Sequence, residues 1–283
     1  MRARPLLIRE EVFFVRDRAM TVRLTPDQIE RYSRQILIPD LGGRGQIRLR
    51  QKKVLIVGAG GLGSPAALYL AAAGIGTLGI VDADDVELSN LQRQILHGAP
   101  DLGRKKVESA KERLGHLNPE VEVRAHAVRL EEGNAREIID GYDFIIDGSD
   151  NFETKFLVND ITVAMDKAFS HAGIVRFQGQ TMTVLPRRSA CYRCLFREPP
   201  APGEIMGCQQ AGILGVVAGT VGSLQATEAI KYLLGMEDEL LTDRLLSYDA
   251  RAMKFRVIEI HRDPRCKACG DGASANKENR ATG

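Results

Sequence analysis

Short apolar runs alternate with stretches of helical periodicity over the first two thirds of the chain. Val54–Val57, Leu78–Asp82, Val121–Ala125 and Tyr142–Asp147 have the β-branched, apolar character of buried strands. Between and after them, the small-residue stretch Pro65–Ala73, the amphipathic run from Gly103 to about Leu117, Asn134–Asp140 and Phe152–Lys167 read as helices. Asn118-Pro119 stops the second of these. This alternation predicts an α/β fold: a Rossmann-like, doubly wound and mostly parallel sheet. Phe169–Val175 and Gly179–Leu185 follow each other closely, and Leu245–Tyr248 and Lys254–Ile260 do the same near the end, which predicts an antiparallel extension. Gly215–Leu234 is a long helix of small and apolar residues.

Upstream, Thr25-Pro26-Asp27-Gln28 carries a helix start, with Thr25 as N-cap, Pro26 at the first position and Gln28 closing a capping box. That helix bears Arg31, Arg34 and Gln35 before Pro39 ends it. Leu41–Gly45 is expected as a loop and Gln46–Lys52 as a short helix. A single domain is expected over residues 24–270. Residues 1–23 would be a flexible extension, with Met20 as an alternative start, and the polar tail 271–283 would be disordered.

Charge and composition narrow the function. A net charge of +2 over 283 residues gives no electrostatic case for nucleic acid or an anionic membrane as partner. No apolar run is long enough to span a bilayer. A cytoplasmic protein is expected. In such a setting the pairs Cys191/Cys194 and Cys266/Cys269 point to metal rather than disulfides. Two Cys-x-x-Cys units supply a closed tetrahedral thiolate set, the pattern of a structural Zn²⁺ clip joining the loop after Leu185 to the C-terminal end. Buried free thiols or a redox pair are the alternatives. Cys208 is left over in a Gly-rich loop, either a small buried hydrophobe or an accessible thiol.

The chemistry gathers at strand carboxyl ends, where open α/β sheets bind ligands. Val54–Val57 runs into Gly58-Ala59-Gly60-Gly61-Leu62-Gly63, a Gly-x-Gly-x-x-Gly turn that brings backbone N–H groups and a helix N-terminus up to a phosphate. Asp82 ends the next strand, placed to bond a ribose hydroxyl. On the glycine loop alone, an NAD- or FAD-dependent oxidoreductase has the stronger prior. No Walker A motif is present, so bound ATP would need phosphate charge from side chains. Arg93, in the polar and non-periodic stretch 84–94, and Lys106, where a cation opposes the helix dipole, suit an anionic ligand. Surface charge is their ordinary alternative. Asp150 lies where a metal bound to a triphosphate would sit, and a helix N-cap is its alternative.

Together these residues resemble the MoeB/ThiF adenylyltransferases, bacterial relatives of the ubiquitin-activating enzymes. The likeness rests on Gly58–Gly63, Ser89-Asn90-Leu91-Gln92-Arg93-Gln94, Lys106-Val107-Glu108, Ser149-Asp150-Asn151, both Cys-x-x-Cys pairs and Arg31-Tyr32-Ser33-Arg34-Gln35-Ile36, in the family's order from about Leu24 to Gly270. The resemblance implies ATP- and Mg²⁺-dependent adenylation of the C-terminal glycine carboxylate of a small ubiquitin-like sulfur carrier, serving molybdopterin, thiamine or related sulfur-transfer pathways. It implies ATP contacts from the glycine loop (Gly58, Gly60, Gly61 and Gly63), Asp82, Ser89, Asn90, Leu91, Gln92, Arg93, Lys106 and Asn151, and Mg²⁺ on Asp150. It further implies structural Zn²⁺ on the four paired cysteines and a homodimer in which Arg34 reaches its partner's ATP site. Cys208 matches a crossover-loop cysteine that bonds the carrier or its sulfur in some members and is dispensable in others. A separate sulfur donor, a cysteine desulfurase or rhodanese, is expected. A noncatalytic carrier-binding subunit, and a relative activating a carboxylate on tRNA, are further alternatives.

Overall fold

The computed structural model describes residues 23–200 and 211–272. The expected N-terminal extension, Cys208 with most of its loop, and nearly all of the polar tail lie outside the described residues. The chain parts into two compact units, Met1–Arg48 and Leu49–Gly283.

In the first unit, α1 (Pro26–Arg31) starts at the expected capping box: Gln28 N–H donates to Thr25 Oγ1 at 3.3 Å, and Thr25 N–H donates to Gln28 Oε1 at 2.9 Å. Tyr32 leaves helical geometry and separates α1 from the single turn α2 (Ser33–Ile36), which carries Arg34. The expected loop at Leu41–Gly45 is instead helical. α3 (Gly42–Leu49) begins inside the glycine cluster and ends three residues before Lys52. Gly43, Gly45, Ile47 and Leu49 are buried along it, and burial outweighs a glycine penalty of about 1 kcal/mol each.

The second unit is built on eight strands: β1 (Lys53–Val57), β2 (Thr77–Val81), β3 (Glu122–His126), β4 (Phe144–Asp147), β5 (Ala168–Val175), β6 (Gln178–Val184), β7 (Arg244–Asp249) and β8 (Lys254–Glu259). Their order is β3-β2-β1-β4-β5-β6-β7-β8. The first five are parallel, and β6, β7 and β8 add antiparallel to β5. This is the expected doubly wound sheet with its antiparallel extension.

The helices are α4 (Gly63–Ala73), α5 (Lys106–Leu117), α6 (Glu132–Asp140), α7 (Phe152–Ala164), the turn α8 (Tyr192–Leu195) and α9 (Gly215–Leu234). α4 packs on α5 and α9, and α9 also lies over β4, β5 and β6. α6 and α7 cover the other face, where Ala135, Ile139, Val158 and Ile161 join Leu55, Val57, Ile145 and Phe169 in one core. The chain reverses its direction along the sheet between β1 and β4, so their carboxyl ends border the crevice where such sheets take ligands. No helix among the described residues is long and apolar enough to cross a membrane.

Candidate active site

The glycine turn after β1 is closed tightly. Gly58 has φ +94°, and a Cβ there would lie 2.9 Å from Gly148 O, in the loop after β4. A Cβ on Gly63 would overlap Gly58 O. Ala59 is held at both ends of its backbone. Its N–H donates to Asp82 Oδ2 at 2.8 Å, and its carbonyl accepts from His97 Nε2–H at 3.0 Å. A carbonyl can only accept, so the His97 proton sits on Nε2 and Nδ1 accepts from Ser109 Oγ–H at 2.8 Å. Burial pushes the His97 pKa down, consistent with a neutral ring. His97 is a lone histidine in a stretch without periodicity, and nothing in the sequence marks it.

Beside this loop lies a cavity of about 550 Å³, lined by Gly58, Gly60, Gly61, Asp82, Arg93, Lys106 and Asp150 among others. Ser89, Asn90 and Gln92 also line it; Gly63 and Leu91 do not. Its size suits a small-molecule ligand. Lys106 is 5% exposed and its ammonium pairs with Asp84 at 2.8 Å. Burial raises the Asp82 pKa, and the Lys106 charge works against that rise. Arg93 donates to Ser89 O at 3.1 Å. Asn90 is buried, and its Oδ1 caps Glu87 N–H at 3.1 Å.

Asp150 is exposed on the cavity wall and has no protein partner among the described residues. The cap of α7 is Asn151, whose Oδ1 accepts from Thr154 N–H at 2.8 Å. The helix therefore does not use Asp150, and a free hard carboxylate suits a divalent cation. Asn151 borders a second cavity of about 430 Å³ that shares Gly58, Asp82, Asp84, Ser149 and Asp150 with the first and adds Val57, Val81, Val128 and Leu130. The segment 128–130 follows β3 without pattern and is invisible to sequence reasoning.

Below the Ser149–Asp150 turn sits a buried polar cluster. Asp147 accepts from Ser149 Oγ–H (2.5 Å), Ser149 N–H (3.1 Å), His171 Nδ1–H (3.0 Å) and Lys155 Nζ (3.2 Å). Burial opposes ionisation of Asp147, but Lys155, His171 and Ser149 outweigh it and hold the carboxyl below the usual carboxylate range. Burial pushes the His171 pKa down.

The four paired cysteines come together, with their sulfurs all within 4.8 Å of one another. The Cys191–Cys194, Cys191–Cys266 and Cys194–Cys269 Sγ separations are 3.9, 3.6 and 3.4 Å. Tetrahedral Zn–S bonds of about 2.3 Å require sulfur–sulfur edges of about 3.8 Å, so the set is close to the size that zinc takes. Asp263 N–H points at Cys194 Sγ at 3.4 Å, a supporting donor to a thiolate.

The model of the ThiF family matches residues 32–268, which take in the glycine loop, Cys191, Cys194 and Cys266. The chain belongs to the ThiF family. It is 46% identical over 255 residues to the sulfur carrier protein adenylyltransferase of Thermus thermophilus, covering 88% of this chain and 94% of that protein. It is 47% identical over 253 residues to the SAMP-activating enzyme E1 of Haloferax volcanii, covering 89% and 93%. MoeZ of Mycobacterium tuberculosis, named a probable adenylyltransferase/sulfurtransferase, is a longer relative: 47% identity covers 85% of this chain and 62% of that one. Among solved structures, E. coli MccB with ATP superposes with a TM-score of 0.74 at 25% identity, over 85% of this chain and 75% of that one.

Proposed function

We propose that this chain adenylates the C-terminal glycine carboxylate of a small ubiquitin-like, Gly-Gly-ended sulfur carrier protein, using ATP and releasing pyrophosphate. The observation that carries the reading is the cavity wall, where a glycine loop, two cations and an unpartnered carboxylate share one site. The names of relatives at 46–47% identity support the carrier as substrate class.

In this reaction a carboxylate oxygen bonds to the α-phosphorus while the bond to the pyrophosphate oxygen breaks, its electron pair leaving with pyrophosphate. No proton moves, so no general base is needed. The obstacle is the approach of two anions, which pre-placed cations lower. The glycine-loop amides and the N-terminus of α4 receive phosphate oxygens. Lys106 exchanges its Asp84 partner for a phosphate, and Arg93 has donors to spare. Asp82 holds a ribose hydroxyl, and the Val57–Val81–Val128–Leu130 cavity takes the base. Asp150 would hold Mg²⁺, which when bound neutralises phosphate charge. Cys191, Cys194, Cys266 and Cys269 would hold structural Zn²⁺.

The remaining parts of the proposal are a homodimer with Arg34 acting in its partner's site, a separate desulfurase or rhodanese as sulfur donor, and a cytoplasmic setting. Cys208 is its thioester or persulfide cysteine. ATP–pyrophosphate exchange with each Gly-Gly-ended small protein of the same cell tests the function, and exchange with at least one is expected. No exchange with any of them, together with tight nicotinamide-nucleotide binding, would restore the oxidoreductase reading. For the dimer, Arg34→Ala mixed with Asp150→Ala should recover activity in verified heterodimers.

A further inference from the structure

Lys155 is a third cation on the cavity wall, one that the phosphate contacts leave unused. It sits in the second turn of α7 and is 7% exposed. Its ammonium donates to Asp147 Oδ2 at 3.2 Å and to Ala172 O at 2.6 Å. An ammonium has three N–H groups, and the third has no acceptor among the described residues. Asp147 already accepts one Lys155 N–H and three further donors, two from Ser149 and one from His171. A buried charged donor is expensive to leave unmade, so a ligand anion is the expected partner.

The sheet order says which anion. Along β2-β1-β4 the carboxyl ends carry Asp82, the glycine loop and the Ser149–Asp150 turn, and beside the end of β4, just past His171 that pairs with Asp147, β5 carries Ala172 with Gly173. Lys155 is bonded to the end of β4 and to β5. At about 4.8 Å per strand its ammonium stands roughly 5–10 Å beyond the glycine loop, on the side away from Asp82. The wall there is uncharged, two glycines and two isoleucines: Gly173, Ile174, Gly212 and Ile213. A slot of that kind takes an unbranched tail rather than a nucleotide.

We propose that Lys155 binds the carrier's terminal carboxylate, holding the oxygen that does not attack while the other oxygen bonds to the α-phosphorus and pyrophosphate departs with its electron pair. Lys155 keeps its proton throughout; the oxygen it holds becomes the carbonyl oxygen of the acyl-adenylate. This rests on carrier adenylation as the reaction.

The test uses the Gly-Gly-ended protein that supports exchange with the unmodified chain, prepared both as the free acid and as the C-terminal amide. The unmodified chain should bind the acid more tightly than the amide. Lys155→Met should abolish that preference and lower kcat/KM for the carrier roughly 10- to 100-fold, the worth of a hydrogen bond to a charged group. Its Kd for ATP without carrier should change by less than threefold. Lys155→Arg should keep part of the preference. If Lys155→Met does not fold, the paired Asp147→Asn/Lys155→Met chain removes both buried charges and is read by its acid-over-amide preference alone. An unchanged acid-over-amide preference in a folded variant overturns the proposal, as does an equal loss of ATP and carrier binding. Absence of exchange in the unmodified chain would instead sink the reaction itself.

Discussion

Replacing Asp147 by alanine probes the support of the site most directly. The Asp147 carboxylate is fully buried and accepts from four donors, one an ammonium and one an imidazole N–H. Asp147→Ala leaves Lys155 charged and uncompensated at 7% exposure, and strands the Ser149 hydroxyl and the His171 N–H. Removing one partner of a buried ion pair costs about 3–5 kcal/mol. Asp147→Asn should recover little, because its NH₂ meets donors in either orientation: the Lys155 ammonium and His171 Nδ1–H in the place of Oδ2, or the Ser149 N–H and Oγ–H in the place of Oδ1. The cost is specific to the pair, so Asp147→Ala combined with Lys155→Met should be less destabilised than the two single changes summed, by at least about 1.5 kcal/mol. Guanidinium unfolding at pH 7, followed by two probes, measures all four corners of the cycle. A loss below about 1 kcal/mol in Asp147→Ala, or additivity within about 0.5 kcal/mol, would refute a mutually dependent buried pair.

Three further outcomes follow from the same geometry. Burial lowers the His171 pKa below its unfolded value, so the unfolded chain binds the extra proton first and stability falls as pH drops through about 6.5. The apparent Tm should therefore fall between pH 7 and 5.5, and His171→Gln should reduce that fall; an equal drop in that variant contradicts it. Gly63→Ala forces a Cβ into Gly58 O, so about 1–3 kcal/mol of stability and at least tenfold in ATP affinity should be lost, and unchanged Kd and Tm would show a loop softer than its contacts imply. The purified chain should carry about one zinc, and Cys266→Ser should lose it with a lower Tm; a metal-free chain of unaltered Tm tells against the clip.

The sequence makes legible whatever is repeated or chemically constrained. β1, β2, β4 and the antiparallel β5–β8 announce themselves by apolar run and spacing. α9 matches its expected span at both ends, closed by Gly235 in the left-handed region that a C-cap requires. The Thr25–Gln28 box works because both side chains and both amides lie within three residues. α3 is illegible because glycine propensity argues for a loop, whereas burial along the segment decides the outcome. The site divides in the same way. Glycine turn, Asp82 and cysteine pairs carry local signatures. Lys155 and His171 do not, because their partners are set by strand neighbours: Lys155 is bonded to Ala172, 17 residues on, and His171 to Asp147, 24 residues back. A lone lysine in a helix reads as surface until β4 and β5 are side by side. Asp150 and Asn151 are equal candidates for the cap on residue type, and only the observed Asn151–Thr154 bond frees Asp150 for other work.

The four-cysteine cluster and the cavity beside the glycine turn are joined through α7 and its neighbours. α8 is one turn, too short to be stable alone, and has no side-chain cap. Tyr192 N–H donates to Asn159 Oδ1 at 2.9 Å, and Arg193 grips Asp160 through two bonds of 2.6 and 2.7 Å while lying over the Phe156 ring. All three acceptors belong to α7, whose Lys155 pairs with Asp147. The Tyr192 ring packs 4.3 Å from the His171 ring, between centroids, and His171 donates to Asp147. From Cys191 of the cluster to the turn that carries Asp150 there are thus four contacts, Cys191–Tyr192, Tyr192–His171, His171–Asp147 and Asp147–Ser149, the first covalent. Side chains in one connected network do not contribute independently. Cys266→Ser and Asp147→Ala should therefore be less destabilising together than their sum, by about 0.5 kcal/mol or more, and each should weaken ATP binding in the folded chain. Strict additivity, with ATP affinity untouched in Cys266→Ser, would separate the clip from the site and leave it a fastening for the chain's end alone.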